Sequence, residues 1–411
     1  MANKELFSLG DIYVSDFIKD GEEPRGPKSP LTLVLEEETG AVRLTEVPDS
    51  DSMYGQYWYR SGINATMTKE LGDIAKSCVE CVKPKEGDVW LDIACNDGTL
   101  LKQVPNNLIK VGCDPADDSY TNESRQVADD IIQDYFSAKA YQSSKYGDKK
   151  AKIVTTIAMF YDLDDPKSFL RDVHQVMDDE GLFVLQMSYT PLMLKQLAFD
   201  NICHEHVYYY NLTNISNMLT DCGFDVVDCQ LNDINGGSFR VYAMKTDADK
   251  RKFKTSPYRD VAQYRIDAIK SREGLDMMHS PEPYMSFWRD INKLKEETVG
   301  FIKQAKAKGK TVWGYGASTK GNTLLQWFGL DETLIDGIAE RNPYKFGLKT
   351  VGTNIPIYSE DEMRKENPDY MLVLPWHFIN EFVEREKDYI KGGGKFIVPC
   401  PKFEIIGYGE D

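Results

Sequence analysis

The stretch Val89–Asp114, VWLDIACNDGTLLKQVPNNLIKVGCD, decides how the rest of the chain is read. Val89–Ile93 is a short apolar run with an acid, Asp92, near its end. The small residues Ala94 and Cys95 follow, then Asn96, Asp97 and Gly98. Thr99–Val104 reads as the first turns of a helix with Thr99 as its cap. A second apolar strand, Ile109–Cys113, ends in Asp114. A strand, turn, helix, strand and closing acid suit a nucleoside. Small residues let the backbone approach the ligand, and the closing acid accepts ribose hydroxyls.

The turn holds no G-x-G-x-x-G; its frame is Ala94-x-Asn96-x-Gly98 with Asp92 just before it. Asp92 and Asp97 would repel a dinucleotide's pyrophosphate, whereas a sulfonium and an ammonium welcome acids. The pattern resembles the first two motifs of class I S-adenosylmethionine (SAM) methyltransferases. That resemblance implies a cofactor site built from Asp92, Ala94, Cys95, Asn96, Gly98, Asp114 and Pro115. Tyr135 and Phe136, in the segment Asp129–Phe136, would flank the adenine, and Ala158 and Met159 would close the site at the end of the strand Lys152–Phe160.

The totals bound the alternatives. A chain of 411 residues holds two or three domains. A net charge of −17 argues against nucleic acid or an anionic membrane surface as partner. The opening MANKELFSLGDIYVSDF lacks the apolar core of a signal peptide, and no run approaches ~18 apolar residues. Eight scattered cysteines fit reduced thiols, and a cytoplasmic location is expected. Cys78-x-x-Cys81 falls inside a helical pattern with no second pair, so it reads as two buried thiols rather than half a zinc site.

Before the central unit, Leu31–Leu35 and Ala41–Leu44 read as a hairpin across the turn EEETG. The N-terminal region is small for a free-standing core and is expected to pack on the next domain. Tyr54, Tyr57, Trp58 and Tyr59 form an aromatic cluster at the entrance to the SAM unit, read equally as packing or as a lid. After Asp114, strands alternate with helices, which implies a mostly parallel sheet with ligands at its carboxyl edge. Beyond the strand Gly181–Met187 comes Phe199–Tyr210, FDNICHEHVYYY. His204 and His206 flank Glu205 without the H-E-x-x-H spacing of zinc proteases, so acid–base chemistry is the expectation. Extended backbone would point both histidines to one side and Glu205 to the other.

Asn235-Gly236-Gly237-Ser238-Phe239-Arg240 places a glycine pair before an edge strand, with Arg240 either an anion contact or part of a plain turn. Thr311–Gly321, TVWGYGASTKG, runs a strand into Gly316, Ala317, Ser318 and Lys320 ahead of a helix from about Asn322, a phosphate cradle without Walker spacing. Asn342, Lys345 and His377 follow later strands of a second Rossmann-like layer.

The segments LDIACNDGTLL, FDNICHEHVYYY with INGGSFRVY, and VWGYGASTKGNTLL together resemble the SAM-dependent sugar C-methyltransferases, which act on nucleotide-linked 4-keto-deoxysugars. The resemblance runs through nearly the whole chain in order. It implies an α/β protein of three domains: a small β-rich N-terminal domain (1–65), a class I SAM methyltransferase domain (66–246) and a C-terminal Rossmann-like α/β domain that helps hold the nucleotide-sugar (247–411). His206 then corresponds to the base, with Glu205 raising its basicity and His204 as structural partner. Tyr57, Tyr59 or Tyr208 would donate to an enolate oxygen. Asn235, Gly237, Ser238, Arg240, Gly316, Ala317, Ser318, Lys320, Asn342, Lys345 and His377 are the candidate substrate contacts.

Two departures stand out. No cysteine precedes Cys78, so the zinc of the family's N-terminal domain is expected to be absent, with Glu36 and Thr39 where ligands would be. The family's tyrosine before HEH and its histidine after the fourth strand are replaced by Cys203 and Asp162. Asp162 is accordingly a further acid–base candidate. The rivals are an O- or N-methyltransferase on a related nucleotide-sugar, a non-catalytic nucleotide-sugar binder, and an NAD-dependent epimerase or reductase, the last disfavoured by the missing G-x-G-x-x-G. No oligomeric state can be read from the sequence.

Overall fold

The computed structural model describes residues 3–48, 53, 58–253 and 259–408. A seven-stranded sheet forms its centre. The strands are β5 (Val89–Ile93), β6 (Ile109–Cys113), β7 (Asp130–Ile132), β8 (Ala151–Ile157), β9 (Met177–Ser188), β11 (Phe224–Asn232) and β12 (Ser238–Lys245). They lie in the order β11-β12-β9-β8-β5-β6-β7. β5 to β9 are parallel, and β12 runs antiparallel between β9 and β11. β5 is buried along its whole length, as a central parallel strand covered on both faces must be. One face carries Leu91, Val154, Phe183 and Leu185; the other carries Trp90, Ile153, Leu182 and Tyr242 against the helix Ala65–Val82. Asn64 caps that helix by accepting from the amides of Thr66 and Met67. Cys78 and Cys81 are buried on its inner face.

Two local expectations are corrected. Thr99–Val104 forms no α-helix but a single 3-10 turn, Leu101–Gln103. Pro105 follows, and Val104 is already extended, the conformation the residue before a proline prefers. Thr99 instead donates its hydroxyl to Asp97 Oδ1 at 2.6 Å. The strand after Gly237 is not at an edge: β12 is interior and buried throughout.

The N-terminal sheet is β1 (Asn3–Ile12), β3 (Ser29–Glu36) and β4 (Val42–Leu44), completed by β10 (Tyr208–Tyr209). The expected hairpin is β3–β4, and Arg43 Nε lies 2.6 Å from Glu36 Oε1 across it. Only β10 comes from the methyltransferase domain. The apolar face of this sheet turns to the C-terminal domain, where Phe7 stacks on Trp288 with ring centroids 5.0 Å apart. It packs on the next domain in sequence as expected, through β10 and the His204–Ser29 contact, and on the long helix Glu282–Ala307 as well.

The C-terminal sheet has six strands: β13 (Val312–Tyr315), β14 (Ile338–Glu340), β16 (Ile357–Ser359), β17 (Tyr370–Val373), β18 (Lys395–Val398) and β19 (Glu404–Ile406). Their order is β16-β14-β13-β17-β18-β19, and all but β19 are parallel. β2 (Phe17–Ile18) pairs with β15 (Lys349–Thr350) and ties the N-terminal segment to this domain. Helix Thr319–Phe328 starts three residues earlier than its sequence suggests, because Ser318 caps it by accepting from Gly321 N. Among the described residues no helix is long and apolar enough to cross a membrane.

The helix Arg259–Leu275, read as part of the third domain, lies against β11 and the helix Leu212–Asp221. Glu273 is the reason. Its buried carboxylate accepts from Leu212 N (2.6 Å), Thr213 N (2.9 Å), Thr213 Oγ1 (2.6 Å) and Tyr189 Oη (2.7 Å). It neutralises the N-terminus of that helix from a separate segment. Glu273→Ala strands these donors in the interior and is expected to cost on the order of 3 kcal/mol in chemical denaturation, with Glu273→Gln costing less.

Candidate active site

The carboxyl ends of β5, β6 and β8 meet at one edge, and the backbone is strained there. Ala94, Asn96 and Ala158 adopt left-handed conformations with φ of 60°, 51° and 55°. For residues carrying a Cβ this costs energy and marks functional turns. Gly98 also has positive φ, 76°, and a Cβ at that position would lie 2.9 Å from Ser124 Cα. Asp114 is fixed by two amides, Asn96 N to Oδ2 at 2.8 Å and Ala116 N to Oδ1 at 2.9 Å. A carboxylate so held keeps further lone pairs for two hydroxyls. Asp92 accepts Thr155 Oγ1 at 2.6 Å, and burial pushes its carboxyl up to about 7. Cys95 is buried in the turn. Pro115 is exposed after Asp114, and Tyr135, 54% exposed, and half-buried Phe136 follow β7 on the same edge. Met159 continues from Ala158 at the end of β8.

Residues 58–62 cross this loop. Asn96 donates to the Tyr59 carbonyl at 3.0 Å and accepts from Ser61 N at 3.1 Å, while Asp97 accepts from Gly62 N at 2.8 Å. Arg60 is buried, pairs with Glu123, and lies over the rings of Tyr120 (4.1 Å) and Tyr344 (5.0 Å). Tyr59 itself is 39% exposed. Tyr57 lies outside the described residues.

The HEH segment is a turn, closed by His206 N donating to the Cys203 carbonyl at 3.2 Å. The expected alternation is therefore corrected. His204 turns to the N-terminal domain, with Nε2 3.1 Å from the Ser29 carbonyl. His206 turns to the sheet edge, with its ring 4.1 Å from that of Tyr161, just beyond Ala158. His206 Nδ1 lies 2.7 Å from the Asn201 carbonyl oxygen. A carbonyl only accepts, so Nδ1 carries the proton and Nε2 holds the lone pair. Burial and the nearby Lys320 charge hold His206 well below the usual imidazole range, so it is neutral at pH 7. Glu205 does not orient it; that role belongs to Asn201, and Glu205 faces Asp162 and Lys320 instead.

Around His206 lies a small enclosed cavity lined by Tyr161, Ser188, Thr190, Tyr208 and Tyr209 among others. Tyr208 is half-buried and stacked on Tyr210 with centroids 5.5 Å apart. Asp162 Oδ1, Glu205 Oε2, Tyr209 Oη and His377 Nδ1 are buried without a hydrogen-bond partner. Burial raises the Asp162 and Glu205 carboxyls and, with Lys320, lowers His377 to about 3.

The remaining substrate candidates divide. Lys320 reaches across the domain boundary to Asn201 Oδ1 at 2.6 Å. In this structure it meets the HEH cluster. Ser318 caps its own helix, Lys345 Nζ donates to the Ala317 carbonyl at 2.7 Å, and Gly316 is required by Pro375, 2.7 Å from where a Cβ would sit. Asn342 is buried and donates to the Trp58 carbonyl at 3.5 Å. Arg240 is no free anion contact: it pairs with Glu70 at 2.6 Å and donates to Gln186 at 2.8 Å. Asn235 and Gly237 shape a tight turn with φ of 53° and 112°, and Ser238 donates to the Ile234 carbonyl. Sequence reasoning missed Asn201, Tyr161 and Tyr209. The only signal was that they neighbour residues already singled out. Among the described residues no group of three or more His, Cys, Asp or Glu is placed to hold a metal ion.

Strand order, the β5 turn and the paired acids Asp92 and Asp114 define a class I SAM-dependent methyltransferase. A methyltransferase-domain family profile matches residues 64–229, and the profile of the C-methyltransferase C-terminal domain matches residues 233–401; the chain is a SAM-dependent methyltransferase. It is 26% identical over 407 residues to C-methyltransferase NovU of Streptomyces niveus, covering 98% of this chain and 94% of the relative. Similar solved structures include the magnesium protoporphyrin IX methyltransferase ChlM of Synechocystis PCC 6803 with bound SAM (12% identity, 43% of this chain and 79% of that one, TM-score 0.33). Another is an S-adenosylmethionine-dependent methyltransferase from Clostridium acetobutylicum ATCC 824 (13% identity, 43% and 92%, TM-score 0.34).

Asp92 gives a pH test on the ligand-free protein. Its native carboxyl binds a proton more tightly than the unfolded one, whose ordinary value is 3.8. Its contribution to stability is thus full at low pH and falls as pH rises towards about 7. Between pH 4 and 8 in urea melts, the stability difference between wild type and Asp92→Asn is expected to move against wild type by a few kcal/mol. Each tenfold difference in proton affinity between the folded and unfolded states is worth about 1.4 kcal/mol.

Proposed function

We propose that the acceptor is a nucleotide-linked 4-keto-deoxysugar, methylated at a carbon beside the ketone through an enolate, with His206 as the base. The observation that carries this reading is the Nδ1–H contact to Asn201, which leaves a neutral imidazole with its Nε2 lone pair beside a cavity at the sheet's carboxyl edge. A carbon acid needs such a base; an O- or N-methyltransferase would also need a base but would form no enolate. The cavity is lined by the methyltransferase domain, and Lys320 of the C-terminal domain reaches Asn201 on its wall.

Asp114 would hold the cofactor ribose and Asp92 its ammonium, with Tyr135 and Phe136 beside the adenine. When bound there, SAM supplies a methyl group on a sulfonium, the electrophile a carbon nucleophile needs. His206 Nε2 removes the proton beside the ketone, and the C–H electron pair becomes the enolate double bond while the carbonyl pair moves to oxygen. Cys203 is too deeply buried and too strongly held as the neutral thiol to serve as the base.

Two outcomes are expected. Asp114→Ala weakens SAM binding at least about tenfold by calorimetry, the worth of one charge-assisted hydrogen bond. His206→Ala keeps SAM affinity but loses about 10²–10⁴-fold in methyl transfer, and equally in hydrogen–deuterium exchange beside the ketone measured without SAM. Wild-type exchange in that variant, or none in the wild type, contradicts the enolate reading.

A further inference from the structure

The carboxyl of Asp162 lies close to His206 and plays no part in the steps derived so far. Asp162 ends the 3-10 turn Phe160–Asp162, one residue beyond the ring that packs on His206. Its Oδ1 is buried without a partner, while the residue as a whole is half-buried. Glu205 and Cys203 from the HEH turn, Tyr209 from β10 and Lys320 from the helix Thr319–Phe328 face it. Tyr209 is 6% exposed, its hydroxyl is also unpartnered, and it lines the His206 cavity.

The charges do not balance with every acid ionised. Asp162, Glu205 and Asp200 surround one ammonium, Lys320. A buried site cannot carry the excess negative charge, so protons are retained. Hydrogen bonding decides where. Asp200 accepts Trp376 Nε1 at 3.0 Å, a contact that favours its ionised form, whereas Asp162 Oδ1 and Glu205 Oε2 are both buried without a partner. With three acids around one ammonium, the retained protons rest on these two, Asp162 and Glu205.

We propose that Asp162, as the neutral acid, is a catalytic residue that donates its O–H to the developing enolate oxygen, with the Tyr209 hydroxyl as second donor. The assignment rests on the enolate reading above. As His206 Nε2 takes the carbon-bound proton, negative charge grows on the ketone oxygen. A donor already in a water-poor pocket stabilises that charge without reorganisation. The hydrogen stays on Asp162 while the enolate lasts, and no further reactant is required. The pH consequence follows from both groups. Activity falls on the acid side as His206 takes a proton, and on the alkaline side as Asp162 loses its own.

The test uses the full chain with Asp162→Asn and Asp162→Ala, each first shown to bind SAM like wild type. A deoxythymidine diphosphate-linked 4-keto-6-deoxyhexose serves as probe for exchange beside the ketone. Asn keeps a neutral donor, so Asp162→Asn is expected to exchange within about tenfold of wild type and to lose the alkaline fall; Asp162→Ala is expected to lose about 10²–10³-fold, the worth of one oxyanion donor. Independently of any substrate, the infrared difference spectrum of wild type minus Asp162→Asn at pH 7 is expected to contain a protonated-carboxyl C=O band. Absence of that band, or equal damage in both variants, overturns the assignment. His206→Ala separates the two levels. If it abolishes exchange while Asp162→Ala exchanges normally, the donor assignment alone fails; if it exchanges normally, the enolate reading fails and takes the donor with it.

Discussion

A single buried amide, Asn201, holds the site together. Its backbone carbonyl fixes the tautomer of His206, and its side-chain oxygen accepts Lys320 Nζ at 2.6 Å and Ser188 Oγ at 3.1 Å. The base, the end of β9 and the C-terminal domain's lysine thus share one residue that is 2% exposed. A backbone carbonyl is a neutral, rigid orienting group. It sets the imidazole's direction without raising its charge, which suits a base that must stay unprotonated in a crowded polar pocket.

The three domains are interlocked around that point. β10 carries the HEH turn into the N-terminal sheet, whose apolar face is covered by the C-terminal helix Glu282–Ala307. His204 anchors the turn from one side and Lys320 from the other. Trp58 joins Asp16 of the N-terminal segment at 2.9 Å and receives Asn342 of the C-terminal domain, so the strap over the cofactor loop is held by the domains it separates. The N-terminal sheet shares its core with the C-terminal domain.

What the sequence made legible was whatever depends on local pattern. The alternation of strands and helices pointed to the sheet, and the Asp92–Gly98 turn with Asp114 pointed to the cofactor edge, because small residues and paired acids carry their reason in their chemistry. The second Rossmann-like layer was legible for the same reason. Local pattern could not give the directions of side chains in an irregular turn. Extended backbone would have put His204 and His206 side by side; the Cys203–His206 turn sends them to different domains. Arg240 looked free in sequence, but Glu70, 170 residues away, occupies it. Asn201 was invisible because an asparagine's worth here lies in two carbonyl oxygens meeting partners from three segments.

The central claim is that His206 is neutral, protonated on Nδ1, with Nε2 as the acceptor. The chain has only five histidines, so nitrogen-15 NMR of histidine-labelled protein resolves each ring, and loss of one pair of signals in a His206 variant assigns it. The account predicts that this ring shows the Nδ1–H neutral tautomer at pH 7 and keeps it well below the ordinary imidazole range. An imidazolium at pH 7, or a proton on Nε2, would contradict it.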